Sequence, residues 1–329
     1  MTPKENYLRM MHGDIPEFVP SAFYNPHSQG VEDELLTPRA APNGPIVTSL
    51  GVTYVGGGAD LMYGAMPAPN EIMIDDITKW RDKLKIKDVS DRNWEAYYKE
   101  ISKDFDRENK CVGVGGGDYW LTLVSLMGFE GALLAMYEEP DEVIELLTHV
   151  SEFYITVLKQ QIYYLKPEVL GLMDDDSAYR APFFSVDMYR RFFKPFQKLH
   201  ADIALNEGMV ISRHDCGKCE QFIDDWLDIG VTEWNSPQDT NDLPGIKKKY
   251  GNRLAFSGGW TGRDLLKNNA SEKEIKDSLA EYVDTYAPGG GFTYGIIAIG
   301  APDDPTAETN REIIKNFYFD YAYDWYKNH

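Results

Sequence analysis

The chain predicts an α/β fold, a (β/α)₈ TIM barrel with an irregular N-terminal extension. From Trp94 onward, short apolar runs alternate with amphipathic stretches to the end of the chain. Such alternation implies parallel strands covered by helices. No dinucleotide-binding glycine fingerprint follows any apolar run, which favours a closed barrel over an open sheet. A length of 329 residues suits either about two domains of ~150 residues or one large barrel. The alternation is continuous, so residues 1–329 are read as a single barrel domain.

In chain order, Pro3 to Met11 reads as a short helix and Phe18 to Phe23 as a first strand. The run Asn25 to Gly44, the triplet Gly56-Gly57-Gly58 and Met66-Pro67-Ala68-Pro69 read as long loops. A helix is expected from Trp94 to Phe105, with Asn93 accepting from a first-turn amide as its N-cap. Strands are expected at Cys111–Gly115, Val169–Met173, Met209–Arg213, Val231–Trp234, Leu254–Ser257 and Phe292–Ala298. The intervening helices are Pro140–Tyr164, Val186–Asn206, Glu220–Asp228 and Glu272–Tyr286. With Phe18–Phe23 this makes seven strands, and an eighth has room in the irregular part.

Charge removes several functional classes. Thirty-three Lys and Arg stand against 53 Asp and Glu, a net charge of −20. An excess of that size opposes broad binding of nucleic acid or an anionic membrane, because both need clustered cations. The opening Met1 to Met11 has no apolar core of a secretory signal. The most apolar stretch, Trp120 to Tyr137, is interrupted by Gly128, Glu130 and Gly131 and makes a poor membrane span. A cytoplasmic protein is expected. Three cysteines, Cys111, Cys216 and Cys219, are too few for a disulfide framework.

The sharpest chemical signal is Ser212-Arg213-His214-Asp215-Cys216-Gly217-Lys218-Cys219. Alternation along a strand puts His214 and Cys216 on one face and Asp215 on the other. An imidazole and a thiolate so placed can share one zinc ion, and a barrel opens its active site at this end of the strand. Zinc needs a third protein ligand, supplied either by Cys219 or by Glu233 on the neighbouring strand. The alternative is a buried cysteine pair beside a satisfied histidine.

Asp174-Asp175-Asp176 closes an apolar strand. Three successive carboxylates are costly unless solvated, paired or cation-bound. They read either as a helix cap in a solvated loop or, for Asp174 or Asp175, as a general acid or substrate-holding group. The glycine clusters Gly56–Gly58, Gly113 with Gly115–Gly117, and Gly289–Gly291 lack the spacing of a phosphate loop and read as turns or tight approaches. The aromatics Tyr119, Trp120, Tyr179, Trp234 and Trp260 lie near strand ends. Of these, Trp120, Tyr179 and Trp260 are the candidates for enclosing a flat substrate ring.

With these residues in view, the chain resembles the uroporphyrinogen decarboxylase superfamily, and more closely its corrinoid-dependent methyltransferase branch. The likeness runs through Met1-Thr2-Pro3-Lys4-Glu5-Asn6, Asp174-Asp175 with Phe184-Ser185, and His214-Asp215-Cys216-Gly217. It continues through Pro237-Gln238, Asn241-Asp242, Lys248-Lys249-Tyr250-Gly251 and Ser257-Gly258-Gly259. The resemblance implies a (β/α)₈ barrel with its pocket at the C-terminal mouth. It also implies zinc on the His-x-Cys pair, matched by His214 and Cys216, with a later Cys. That later position falls near Gly300, which is not Cys, so the third ligand stays open.

The resemblance therefore points to a methyltransferase that takes a methyl group from a small methoxylated aromatic donor. The acceptor would be cobalt(I) of a corrinoid on a separate partner protein, since no Asp-x-His-x-x-Gly cobalamin motif occurs here. Zinc, or a protonated Asp174 or Asp175, would ease departure of the ether oxygen. A decarboxylase acting on a smaller acid and a non-catalytic binding barrel are the alternatives. The decarboxylase proper is disfavoured, because only Arg9 and Arg39 precede Arg81 and the net charge repels a polyanion.

Overall fold

The computed structural model describes all residues except 32, 37–43, 57–63, 269 and 299–303. Thr2 starts the chain's first helix, Pro3–Met11, through a capping box with Glu5. Seven strands then form one parallel sheet: β1 Ser28–Gly30, β5 Cys111–Gly115, β6 Val169–Met173, β7 Val210–His214, β8 Val231–Asn235, β9 Ala255–Ser257 and β10 Phe292–Thr293. Their spatial order is their order in the chain. A separate antiparallel sheet is made by β2 Ile46–Val47, β3 Thr53–Gly56 and β4 Ala65–Pro67.

The fold is α/β, and strands β5 to β9 fall where they are expected; the two edges differ, and the first strand, β1, lies within the run Asn25 to Gly44 expected as loop. The expected strand Phe18–Phe23 does not join the ladder. Pro20 has no N–H to give, and the segment instead lies against the β10 edge. There Tyr294 N donates to Pro20 O and Ser21 Oγ donates to Tyr294 O. The expected strand Phe292–Ala298 pairs only over Phe292 and Thr293. Its neighbour β9 ends at Ser257, where Gly258 and Gly259 turn away with φ of +124° and +91°, so no partner edge remains. Seven paired strands, rather than a closed ring of eight, are present among the described residues.

The expected helices are present, one of them broken and one ending at Ile101 rather than Phe105, and they are joined by others, such as Tyr119–Met127 and Pro305–Phe317, that are not among those expected. Asn93 caps Trp94–Ile101 by accepting from Ala96 N, and the longest helix runs Pro140–Leu165. The single expected helix Val186–Asn206 is two helices, Val186–Phe192 and Lys194–Asn206. Pro195 explains the interruption: its ring displaces the carbonyl four residues earlier and supplies no donor.

Strand parity sets the layers. Val112, Val114, Leu170, Leu172 and Ile211 are buried against the helices in the main core. Cys111, Val169, Val210 and Ala255 pack on Tyr7, Met10 and Met11, so the first helix covers the N-terminal end of the strands. No single helix among the described residues is long and apolar enough to cross a membrane.

Candidate metal centre and barrel cavity

A cavity of about 280 Å³ lies inside the curl of the sheet. Barrel interiors are ordinarily filled by bulky side chains in layers. Here Gly30, Gly113, Gly115 and Gly171 line the space and contribute none. Two of these, Gly113 and Gly115, belong to a cluster expected to form turns or tight approaches; they are strand residues that keep the interior open, while Gly117 of the same cluster is a tight approach to Tyr154. The turn reading does hold for Gly289–Gly291, all with positive φ. Gly57 and Gly58 lie outside the described residues.

Register stacks the lining in layers. Gly115, Gly171, Ser212 and Glu233 are successive partners across β5 to β8, and Met173, His214, Asn235 and Ser257 form the layer above. Glu233 reaches the interior through a bulge in β8. Ile211 pairs with Val231 but Ser212 pairs with Glu233, so Thr232 is the extra residue. A one-residue insertion reverses the facing of every later residue in its strand. Glu233 therefore points inward, and Trp234 packs outward on Trp226.

At the upper, C-terminal edge of the cavity three groups converge. Ligand atoms of Asp175, His214 and Cys216 all lie within 4.8 Å of one another. Cys216 Sγ is 3.6 Å from His214 Nε2, and Asp175 Oδ1 is 3.8 Å from the same nitrogen. His214 Nδ1 is 2.9 Å from Asn235 Oδ1. An amide oxygen only accepts, so Nδ1 carries the proton and the lone pair sits on Nε2, facing the sulfur and the carboxylate. Asp175 Oδ1 also accepts from Cys216 N at 3.0 Å, which ties the two loops together. Burial first, then Asp175 and Asp215, push the Cys216 thiol up to about 12. One thiol, one imidazole and one carboxylate fit the ligand preferences of zinc.

The turn between His214 and Cys219 is fixed from behind. Arg213, on the outward face of β7, and Asp215, one residue past the end of that strand, turn to the same side. Arg213 Nη2 donates to Asp215 Oδ2 at 2.7 Å and to Asp176 Oδ2 at 2.5 Å, all fully buried. The guanidinium lies 4.8 Å from the centre of the Trp226 ring. Gly217 has φ of +82°, and a Cβ there would stand 2.5 Å from Ser177 O and 2.6 Å from Ala178 O. Only glycine permits that approach of the two loops.

The remaining sequence-selected residues lie elsewhere. Cys219 and Glu233 do not join the cluster of His214 and Cys216; Asp175 does. Cys219 Sγ donates to Asp215 Oδ1 and Cys216 O and is fully buried. Glu233 sits a layer below His214, where its Oε2 accepts from Tyr7 and Ser212. Asp174 is turned away from the cavity. Its carboxylate accepts from the amides of Tyr119 and Leu121 and from Gln197 Nε2, so it caps the helix Tyr119–Met127 from a neighbouring strand. Burial raises its pKa to about 6.

The three candidate ring contacts do not gather around the cavity. Trp120 is buried among Phe129, Phe184 and Phe193. Tyr179 is exposed and donates to Asp239. Trp260 borders a different cleft beside Tyr282 and donates to Ser278 Oγ. Gly300, at the place of the later cysteine, lies outside the described residues.

The place of Asp175 beside the pair was within reach of the alternation that selected His214 and Cys216. Met173 pairs with His214, so two residues further on Asp175 falls beside Cys216. Asn235, Tyr7 and His27 carry no comparable signal in the sequence.

A model of the family described as uroporphyrinogen decarboxylase (URO-D) matches residues 64–300. The chain belongs to that family. No curated protein sequence matches it. Among solved structures, it is similar to a methyltransferase from Methanosarcina mazei, with a TM-score of 0.62, 16% identity, 97% of this chain covered and 99% of that one. At that identity the likeness is one of fold.

Proposed function

We propose that the chain is the O-demethylating methyltransferase of a corrinoid-dependent system, moving a methyl group from a small methoxylated aromatic donor to a separate corrinoid protein. The observation that carries this reading is the convergence of Asp175, His214 and Cys216 at the mouth of the barrel cavity. These three residues would hold zinc, which when bound supplies a Lewis acid for the departing ether oxygen. Asn235 holds His214 in the tautomer a ligand needs. The nucleophile arrives on the partner, so the cavity requires no nucleophilic side chain of its own. Its walls seat the donor and keep water from it.

A decarboxylase is the second reading, favoured by the family to which the chain belongs. The cavity speaks against a polycarboxylate substrate, because no lysine or arginine occurs among the described residues that line it.

The test is methyl transfer from 2-methoxyphenol to a reduced corrinoid protein. The wild-type chain is expected to demethylate it, and His214→Ala and Cys216→Ala to lose about two orders of magnitude or more in rate. Full activity in either variant removes the metal role. Release of carbon dioxide from a carboxylated substrate, with no methyl transfer, selects the decarboxylase.

A further inference from the structure

Below the metal ligands the cavity has a built floor that no step above uses. Glu233 is 3% exposed and its Oε2 accepts from Tyr7 OH at 2.8 Å and Ser212 Oγ at 2.7 Å. It has no cationic partner: no lysine or arginine is among the described residues around the cavity. His27 lines the same cavity and is linked to Glu233 through Tyr7, on which it stacks with ring centroids 3.8 Å apart and planes 7° from parallel. His27 is 4% exposed, borders the cavity, and neither ring nitrogen has a hydrogen-bond partner among the described residues. Buried polar atoms of this kind are costly unless something pairs with them.

The geometry points to an anchoring subsite: Glu233 and His27 bind an O–H or N–H donor group at the far end of the substrate, and they exclude a carboxylate. Three observations lead there. A buried carboxyl group flanked by hydroxyl donors and by no cation repels a second carboxylate and welcomes a donor or a cation. A buried neutral imidazole whose two nitrogens both lack partners has one donor and one acceptor left to satisfy. Ser212 and Glu233 lie one inward-facing layer below His214 and Asn235, two residues along each strand and so about 6.6 Å. That separation suits a single six-membered ring, held at one end by the floor and presenting its other end to Asp175, His214 and Cys216. The subsite rests on the proposed function for the identity of the reacting end, but its selectivity is a property of the cavity alone.

Equilibrium titration of the full chain with 4-methoxyphenol, 4-methoxybenzylamine and 4-methoxybenzoate, whose two groups stand at opposite ends of the ring, separates the possibilities. The phenol or the amine is expected to bind at least tenfold more tightly than the benzoate, and which of them leads tells whether Glu233 acts as an acceptor or as a counter-charge. In Glu233→Gln the margin over the benzoate should shrink to threefold or less. His27→Phe, which retains the stack on Tyr7, should weaken the phenol about tenfold. Equal binding of the benzoate by the wild type overturns the proposal without recourse to any variant, as does an unchanged margin in Glu233→Gln. If the margin is found but no methyl is transferred, the subsite stands and the methyltransferase reading falls. If methyl transfer proceeds equally well from 4-methoxybenzoate, the subsite falls and the methyltransferase reading stands.

Discussion

His27 shows how far a single side chain can be set by its surroundings. Burial lowers its pKa from 6.5 to about 3. The folded state therefore refuses a proton that the unfolded chain accepts below pH 6.5, and the stability this confers, complete above 6.5, is lost as pH falls toward 3. His27→Phe removes that titration and keeps the stack on Tyr7. Relative to the variant, the wild type should lose about 1.4 kcal/mol of unfolding free energy per pH unit between pH 6 and 4. Denaturant unfolding at several pH values checks this, and parallel curves for the two proteins would contradict it. At the same scale, Asp174 and Asp175 are adjacent carboxylates with separate work. One faces a helix terminus and one faces His214, a division made by strand parity alone.

The strand ends are where elements and site meet. Asp174→Asn replaces an acceptor with an amide group that can offer only one oxygen to the two amides of Tyr119 and Leu121. A buried N–H left unpaired costs about 1–3 kcal/mol, so the variant should unfold at correspondingly lower denaturant. An unaltered midpoint would show that the cap contributes nothing. Element by element, much of the fold is legible in the chain. The helix Pro140–Leu165 and the strands β5 to β9 follow periodicity, and the capped start at Asn93 follows side-chain chemistry. What escapes has physical causes. Pro195 divides a helix whose apolar period runs on without interruption. The segment Phe18–Phe23 has strand composition but meets its neighbour through Pro20. The bulge at Thr232 reverses the facing of Glu233, and no pattern in β8 announces it.

Across the whole molecule, one polarity runs along the strand axis. The helix Pro3–Met11 closes the N-terminal end with Tyr7, Met10 and Met11. Glycine-lined walls rise from it, and Asp175, His214 and Cys216 meet at the C-terminal edge. The pair His214 and Cys216 was readable because two residues on one strand share a face. The third group lies two residues past the end of β6, and only the register of Met173 on His214 brings it alongside. Side chains drawn from distant stretches, such as Tyr7 and His27 at the floor, become neighbours only when the sheet curls. Behind the site Arg213 holds Asp176 and Asp215 in the buried layer, and removing one partner of such a group costs about 3–5 kcal/mol. Arg213→Met should therefore lower both stability and the occupancy of the centre, measured by unfolding and by metal content together. Metal retained in full despite a large loss of stability would separate the support from the site. The most direct measurement is elemental analysis of the purified chain after dialysis against excess zinc and removal of free metal. One zinc per chain in the wild type, and none in His214→Ala, is the expected result; a wild-type chain that retains no zinc would contradict the account.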